Sequence, residues 1–281
     1  ALGARRWMDV GVLSFQPSEI MKLALILALG RYFSNRRPSL SFDLRRQIHV
    51  LRDDILFPFL LTALPMALIF KQPDLGTSFL IFGIFLVILF ASGLEYKYLI
   101  GFLIVCLSLI PGAWHFLKGY QKMRLLVFLN PNIDPLGAGY TIIQSKISVG
   151  SGGLWGKGWL SGTQNQLNFL PERHTDFIFS VIGEEWGFLG TLFTLVCFFV
   201  LIKSGLDVAR QQKDRFGMLV AVGIVAILAL QVIVNVGMVL GLCPVVGITL
   251  PLISYGRSSF LVFVVMVGLL LNLSKRRTVF G

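Results

Sequence analysis

Ionisable chemistry concentrates in the stretch Phe169 to Gly187. Glu172, Arg173, His174 and Asp176 crowd the start of an apolar segment, and Glu184 and Glu185 lie inside it. Charge in or beside hydrocarbon is expensive, and a chain that keeps it there commonly uses it. His174 and Asp176 invite a Ser-His-Asp arrangement. No nucleophile elbow accompanies them, and residues two apart do not face each other on a helix. Glu172 and Asp176 are four apart, a spacing that suits paired-carboxylate glycoside chemistry if both are helical. Pro171 argues instead for Glu172 in a loop. The plain alternative is that these charges are hydrated at headgroup level. It fits Asp176 least, because Asp176 abuts the apolar segment.

Other charges fall at the ends of apolar runs. In Gln16 to Lys22, Pro17 suits a first helical position and Glu19 the positive end of a helix. Glu19 and Lys22 are three apart and can pair, either at the outer boundary or as a buried pair lining a cavity. Asp74, in Lys71 to Thr77, suits the cap of the next helix. The glycine run Gly150 to Gly158 resembles a P-loop but fails at Ser151 and Gly158. It reads as a flexible or tight-turning loop, with Lys157 free to meet an anionic lipid head. Gly183, Gly187 and Gly190 lie near one stripe with Asp176 and Glu184, which suits close helix packing. Glu184 is roughly 12 Å along the axis from Asp176. It either pairs with a cation from a neighbouring helix or lines a proton or substrate route. Cys106, Cys197 and Cys243 read as small apolar fillers. Arg5, Glu19, Lys22, Asp74, Lys146, Arg173 and Asp176 together form a mixed set at one side of an apolar bundle. Such a set suits an anionic lipid-linked substrate, with cations on phosphates and a carboxylate as general base.

The elements that must carry these residues are membrane helices. Hydrophobic residues make up 55% of the 281, charged residues 14%, and mean hydropathy is +0.78. Soluble domains carry about 25% charged residues. The expected fold is an all-α, polytopic membrane bundle read as a single domain over 1–281. It has about seven spans: 17–33, 55–70, 75–94, 98–117, 177–202, 216–241 and 254–274. A net charge of +11 does not signal nucleic acid, because the cations sit in short links between spans. Arg31, Arg36, Arg37, Arg45, Arg46, Arg52, Lys97, Lys203, Arg210, Lys213, Arg215, Lys275, Arg276 and Arg277 all fall on one side of the alternating topology, which is therefore cytoplasmic. The outer side receives the long loop Lys118 to Asp176, expected to form short interfacial helices. It also receives a breaker-rich segment with Gly241, Pro244, Gly247, Pro251 and Gly256. Irregular backbone at membrane depth requires protein or a wet cavity around it.

Eight pieces in order resemble one family: Gly3-Ala-Arg-Arg-Trp7, Phe15-Gln-Pro-Ser-Glu-Ile-Met-Lys22, Gln72-Pro-Asp-Leu-Gly-Thr77, Asp134-Pro-Leu-Gly-Ala-Gly-Tyr140, Gln144-Ser-Lys-Ile147, Gly150 to Trp159, Phe169 to Phe179, and Pro251-Leu-Ile-Ser-Tyr-Gly256. They resemble the SEDS proteins (shape, elongation, division and sporulation), nearest the RodA branch. The resemblance implies a peptidoglycan glycosyltransferase that polymerises lipid II at the outer face of the bacterial cytoplasmic membrane, with a class B penicillin-binding protein as transpeptidase partner. It implies Asp176 as the essential carboxylate, with an inverting, β-1,4-forming displacement. Arg5, Glu19, Lys22, Asp74, Lys146, Glu172 and Arg173 are the expected substrate contacts, and a divalent cation, Mg or Mn, is an open expectation. Family members usually place three spans before the Gly-Ala-Arg-Arg-Trp motif, where this sequence begins. Their usual Ser-Tyr-Gly-Gly-Ser reads Ser254-Tyr-Gly-Arg-Ser258 here. The alternatives kept are a lipid II flippase and a non-catalytic scaffold for the transpeptidase.

Overall fold

The computed structural model describes residues 8–10, 13–36, 50–137 and 139–276. Arg5, with its whole motif, lies outside the described residues, as do Arg37, Arg45, Arg46 and Arg277. The chain opens with a short antiparallel hairpin, β1 (Met8–Val10) and β2 (Leu13–Phe15), with Met8 opposite Phe15. Helix α1 (Pro17–Ser34) follows, with Pro17 in its first turn. A π-helical turn, Val50–Leu56, runs into α2 (Phe57–Lys71). Next come α3 (Leu75–Ala91) and α4 (Tyr96–Phe116). The outer loop folds into α5 (Gly119–Leu129), a 3-10 turn at Pro131–Ile133, α6 (Tyr140–Ser151) and α7 (Thr163–Gln166). Then come α8 (Ile178–Arg210), α9 (Arg215–Val239) and α10 (Arg257–Arg276).

A helix stands at each of the seven expected spans. By length and composition, 4 described helices suffice to cross a membrane: Val50–Lys71, Ile178–Arg210, Arg215–Val239 and Arg257–Lys275. Leu75–Ala91 and Tyr96–Leu109 are shorter apolar helices. Helix α1 carries Glu19, Lys22 and Arg31 within its 18 residues, more charge than a plain lipid-facing span tolerates. Burial separates the long helices. Some 72% of the most apolar window of α9 is buried, against 17% for α8. Helix α8 leaves Phe193, Phe199 and Val200 exposed, as a lipid-facing helix must.

The chain forms two compact units. The first comprises 1–108, 202–230 and 257–281. Its core is made by Leu25, Ile26 and Leu29 of α1, Ile81, Ile84, Phe85 and Ile88 of α3, and Leu219, Ile224 and Leu228 of α9. Gly223 lets α9 approach closely, since a Cβ there would stand 2.6 Å from Ile26 Cγ2. The second unit comprises 109–201 and 231–256. It packs Leu170, Phe177, Phe179, Phe198, Val232, Met238, Val239 and Leu250 into one cluster.

Helix α8 differs from the sequence expectation. It is one apolar run but two helical pieces, broken at Gly187 (φ 66°, ψ −159°). A break frees the carbonyls before it and the N–H groups after it, and these need partners. The glycine run supplies them. Lys157 N donates to Glu184 O (2.9 Å) and Gly158 N to Glu185 O (3.0 Å), while Gly153 O accepts from Phe188 N (2.8 Å) and Leu154 O from Leu189 N (3.2 Å). Of the flexible and tight-turning readings of the run, the structure has the second: residues 153–158 are a fitted insert. Glycine is required by space, because a Cβ at Gly156 would lie 2.1 Å from Glu185 O and one at Gly152 1.9 Å from Gly183 O. Gly183 and Gly187 likewise receive the outer loop and the end of α6, rather than a neighbouring spanning helix.

Candidate active site

Asp176 sits half-buried at the junction between the outer loop and α8. Glu172 opens the turn that leads into it. Its backbone is left-handed (φ 52°), and its carbonyl accepts from Thr175 N and Phe177 N. Glu172 is thus a loop residue, exposed, with its carboxylate taking the Thr175 hydroxyl at 3.2 Å. Arg173 lies alongside. Its guanidinium donates to the carbonyl of Asn165 and, at 3.1 Å, to His174 Nε2.

The breaker-rich segment after α9 lies against this turn, as irregular backbone covered by protein must. Tyr255 N donates to His174 O, and Ser254 Oγ to Thr175 O. The amide of Asn235, on α9, donates to Asp176 O and Ile248 O. Arg124 of α5 holds Val245 O at 3.2 Å. Gly247, with φ 72°, faces the carboxylate, and a Cβ there would be in ordinary contact with Asp176 Oδ2 at 3.4 Å. Lys146, on α6, reaches the same segment. A Cβ at Gly241 (φ 70°) would meet its Cε at 2.2 Å and its Nζ at 2.6 Å. The structure therefore brings the candidate base and one candidate phosphate cation onto a single glycine-punctuated strip, Gly241 to Gly247.

Glu184 anchors the rest of the loop. It is wholly buried and pairs with Lys157 at 2.9 Å. It also accepts from Ser148 Oγ (3.3 Å), Thr163 Oγ1 (3.3 Å), Gln164 N (3.0 Å) and Asn165 N (3.3 Å). Glu185 takes Asn165 Nδ2 at 3.2 Å. Two expectations are corrected here. The partner of Glu184 comes from the outer loop, not from a neighbouring spanning helix, and Lys157 is committed to that pair rather than open to a lipid head. The carboxylate caps the first N–H groups of the short helix α7, which has no capping side chain of its own.

In the first unit, Lys22 is completely buried, donates to Glu19 Oε1 at 2.8 Å and lies at ion-pair distance, 2.8 Å, from Oε2. Its ammonium also lies 5.7 Å from the ring centroid of Phe263. The pair is intrahelical, as expected, and it is buried. Asp74 caps α3, taking Thr77 N (3.0 Å) and Thr77 Oγ1 (2.9 Å) on its two oxygens. Asn235 and Gln231 escaped the sequence reading. The available signal was two amides one turn apart in an otherwise apolar, buried helix. All three cysteines are free thiols. Among the described residues, no cluster of three or more His, Cys, Asp or Glu is placed to hold a metal ion.

The arrangement offers a carboxylate at a helix start, near Gly247, and an exposed lysine whose ammonium lies against Gly241 of the same strip. A proton acceptor and a cation along one strip suit displacement of an anionic leaving group by a hydroxyl.

Comparison with known proteins agrees in scale. The sequence profile of a family described as cell cycle proteins, FtsW, RodA and SpoVE, matches residues 1–279. The chain is 47% identical over 280 residues to the peptidoglycan glycosyltransferase MrdB of Escherichia coli (strain K12), covering 98% of this chain and 72% of that protein. It is 40% identical over 273 residues to the stage V sporulation protein E of Bacillus subtilis (strain 168), covering 97% and 72%. Among solved structures it is similar to a chain from a study of polymerization and crosslinking by a peptidoglycan synthase complex (TM-score 0.78, 33% identity, 99% of this chain and 75% of that one). It is also similar to the rod shape determining protein RodA of Thermus thermophilus (TM-score 0.65, 32% identity, 99% and 71%).

Proposed function

This chain belongs to the FtsW, RodA and SpoVE family of cell cycle proteins, and from that premise we propose that it is a peptidoglycan glycosyltransferase polymerising lipid II. The observation that carries the proposal is the placement of Asp176 Oδ2 against Gly247, with the Lys146 ammonium against Gly241 on the same strip. Asp176 accepts the proton of the acceptor 4-hydroxyl as that oxygen attacks C1 of the donor sugar. The bond from C1 to the pyrophosphate oxygen breaks on the opposite face, so an α-linked donor gives a β-1,4 product. Lys146 neutralises the departing pyrophosphate. Its ammonium takes precedence over that of Lys22, which is buried on Glu19. Arg5, Asp74, Glu172 and Arg173 stay in the proposal as substrate contacts. A Mg or Mn ion entering with the pyrophosphate belongs to it only as countercharge, and no step above depends on one.

The proposed setting is the outer face of the bacterial cytoplasmic membrane, supported by the cationic links on the opposite side of the topology. The proposed partner is a class B penicillin-binding protein, supported by the likeness to a chain studied within a peptidoglycan synthase complex. The flippase alternative rested on the broken backbone near Pro244 and on Glu184 as an available intramembrane carboxylate. The broken segment is held by Arg124, Asn235 and the Asp176 turn. The oxygens of Glu184 are taken by Lys157, Ser148, Thr163 and the start of α7, so that motive is gone. The test is polymerisation of lipid II by the purified protein, with Asp176→Asn as the variant. Loss of general-base function lowers rates by about 10²- to 10⁴-fold.

A further inference from the structure

Three successive carbonyls of the Asp176 turn each receive a donor from one stretch of chain, residues 231–256. Tyr255 N donates to His174 O at 2.8 Å, Ser254 Oγ to Thr175 O at 2.6 Å, and Asn235 Nδ2 to Asp176 O at 2.8 Å. The second and third bonds have a particular geometric effect. The carbonyls of Thr175 and Asp176 belong to the two peptide planes that flank the Asp176 Cα. Peptide units are rigid planes, so holding both of them restrains φ and ψ at Asp176 and with them the direction in which its Cα–Cβ bond leaves the backbone.

The same two side chains also hold the strip that faces the carboxylate. Asn235 Nδ2 gives its second hydrogen to Ile248 O at 2.7 Å, and Ser254 Oγ accepts from Leu250 N at 2.7 Å. Each is therefore a bridge between the turn that carries Asp176 and the segment that begins at Gly247. Asn235 is completely buried and Ser254 is 7% exposed, so water does not readily replace a donor that is removed. We infer that Asn235 and Ser254 are positioning residues, setting the aim of the Asp176 carboxylate and its spacing from the Gly247 strip. This rests on the glycosyl-transfer reading above, and it gives the Pro251 to Gly256 motif a task in that reaction.

The test compares Asn235→Leu and Ser254→Ala with the parent protein, using lipid II polymerisation kinetics and amide hydrogen exchange read by mass spectrometry. Asn235→Leu keeps the branched outline of the side chain, is somewhat bulkier, and removes both donors. It is expected to lower kcat by about 10²-fold with KM for lipid II little changed, the scale of loss when a reacting group is displaced by about 1 Å. Ser254→Ala loses one donor and is expected to lose about 10-fold on the same scale. In both variants exchange should rise at residues 174–178, and in Ser254→Ala also at Leu250, whose N–H loses its acceptor, while the rest of the chain keeps its protection. An unchanged kcat, or a general rise in exchange with full activity per folded molecule, would overturn the positioning role. If the parent protein itself makes no glycan, the glycosyl-transfer reading falls. The exchange at 174–178 then decides by itself whether these side chains hold the turn, a local rise sustaining it and no change removing it.

Discussion

Glu19 and Lys22 show what a charged side chain needs inside an apolar bundle. Three residues apart on α1, they form a two-pronged pair at 2.8 Å with Lys22 fully buried. Such a pair adds little net stability as a pair, but removing one member strands the other. Glu19→Ala is therefore expected to destabilise the protein by about 3–5 kcal/mol, read as a drop in Tm in detergent. A double substitution, Glu19→Met with Lys22→Met, should recover much of that loss. Equal destabilisation by the single and double variants would contradict this reading of the pair. The pair, the cap at Asp74 and the loop character of Glu172 were all legible in the sequence, because each follows from spacing and end-of-helix chemistry within a few residues. Asn235 was not. Its partners, Asp176 and Ile248, lie far away in sequence or across a break, and nothing local in Gln231-Val-Ile-Val-Asn235 names them.

At the scale of elements, the break in α8 and the glycine run are one feature. Gly187 turns the helix out of register, and residues 153–158 supply the hydrogen bonds the helix gives up. Composition placed glycines in both segments but could not show that they fit each other, since the fit depends on backbone approaches near 2 Å from any added Cβ. Gly156→Ala should therefore be far more damaging than an ordinary loop substitution. Its backbone is left-handed (φ 79°) and its new Cβ would strike Glu185 O. A cost of about 1–3 kcal/mol for the strained backbone alone is expected, with further loss from displaced hydrogen bonds, measurable by thermal unfolding. A neutral Gly156→Ala would mean that the insert is not tightly seated. Gly101, where an added Cβ meets nothing within 4 Å, serves as the control position.

For the molecule as a whole, the lengths of the apolar runs give the expected span count, and the basic links give the side proposed to face the cytoplasm. The structure returns a helix at each expected span, four of them long and apolar enough to cross. What the pattern could not give is the weight each helix bears. Helix α9 is mostly buried and α8 mostly exposed, although both read as long apolar runs. The orientation is testable by cysteine labelling in cells, in a background free of the three native thiols. Ser161→Cys, in the outer loop, should react with a membrane-impermeant reagent from outside, and Lys213→Cys, between α8 and α9, only after permeabilisation. The opposite pattern would invert the proposed topology and place Asp176 on the wrong side for an outward-facing substrate.

The central claim is that Asp176 is the base of a glycosyl transfer. Purified protein given lipid II should form glycan strands, and Asp176→Asn, with unchanged Tm, should slow strand formation by about 10²- to 10⁴-fold. An Asp176→Asn variant that polymerises lipid II at the parent rate would contradict the claim.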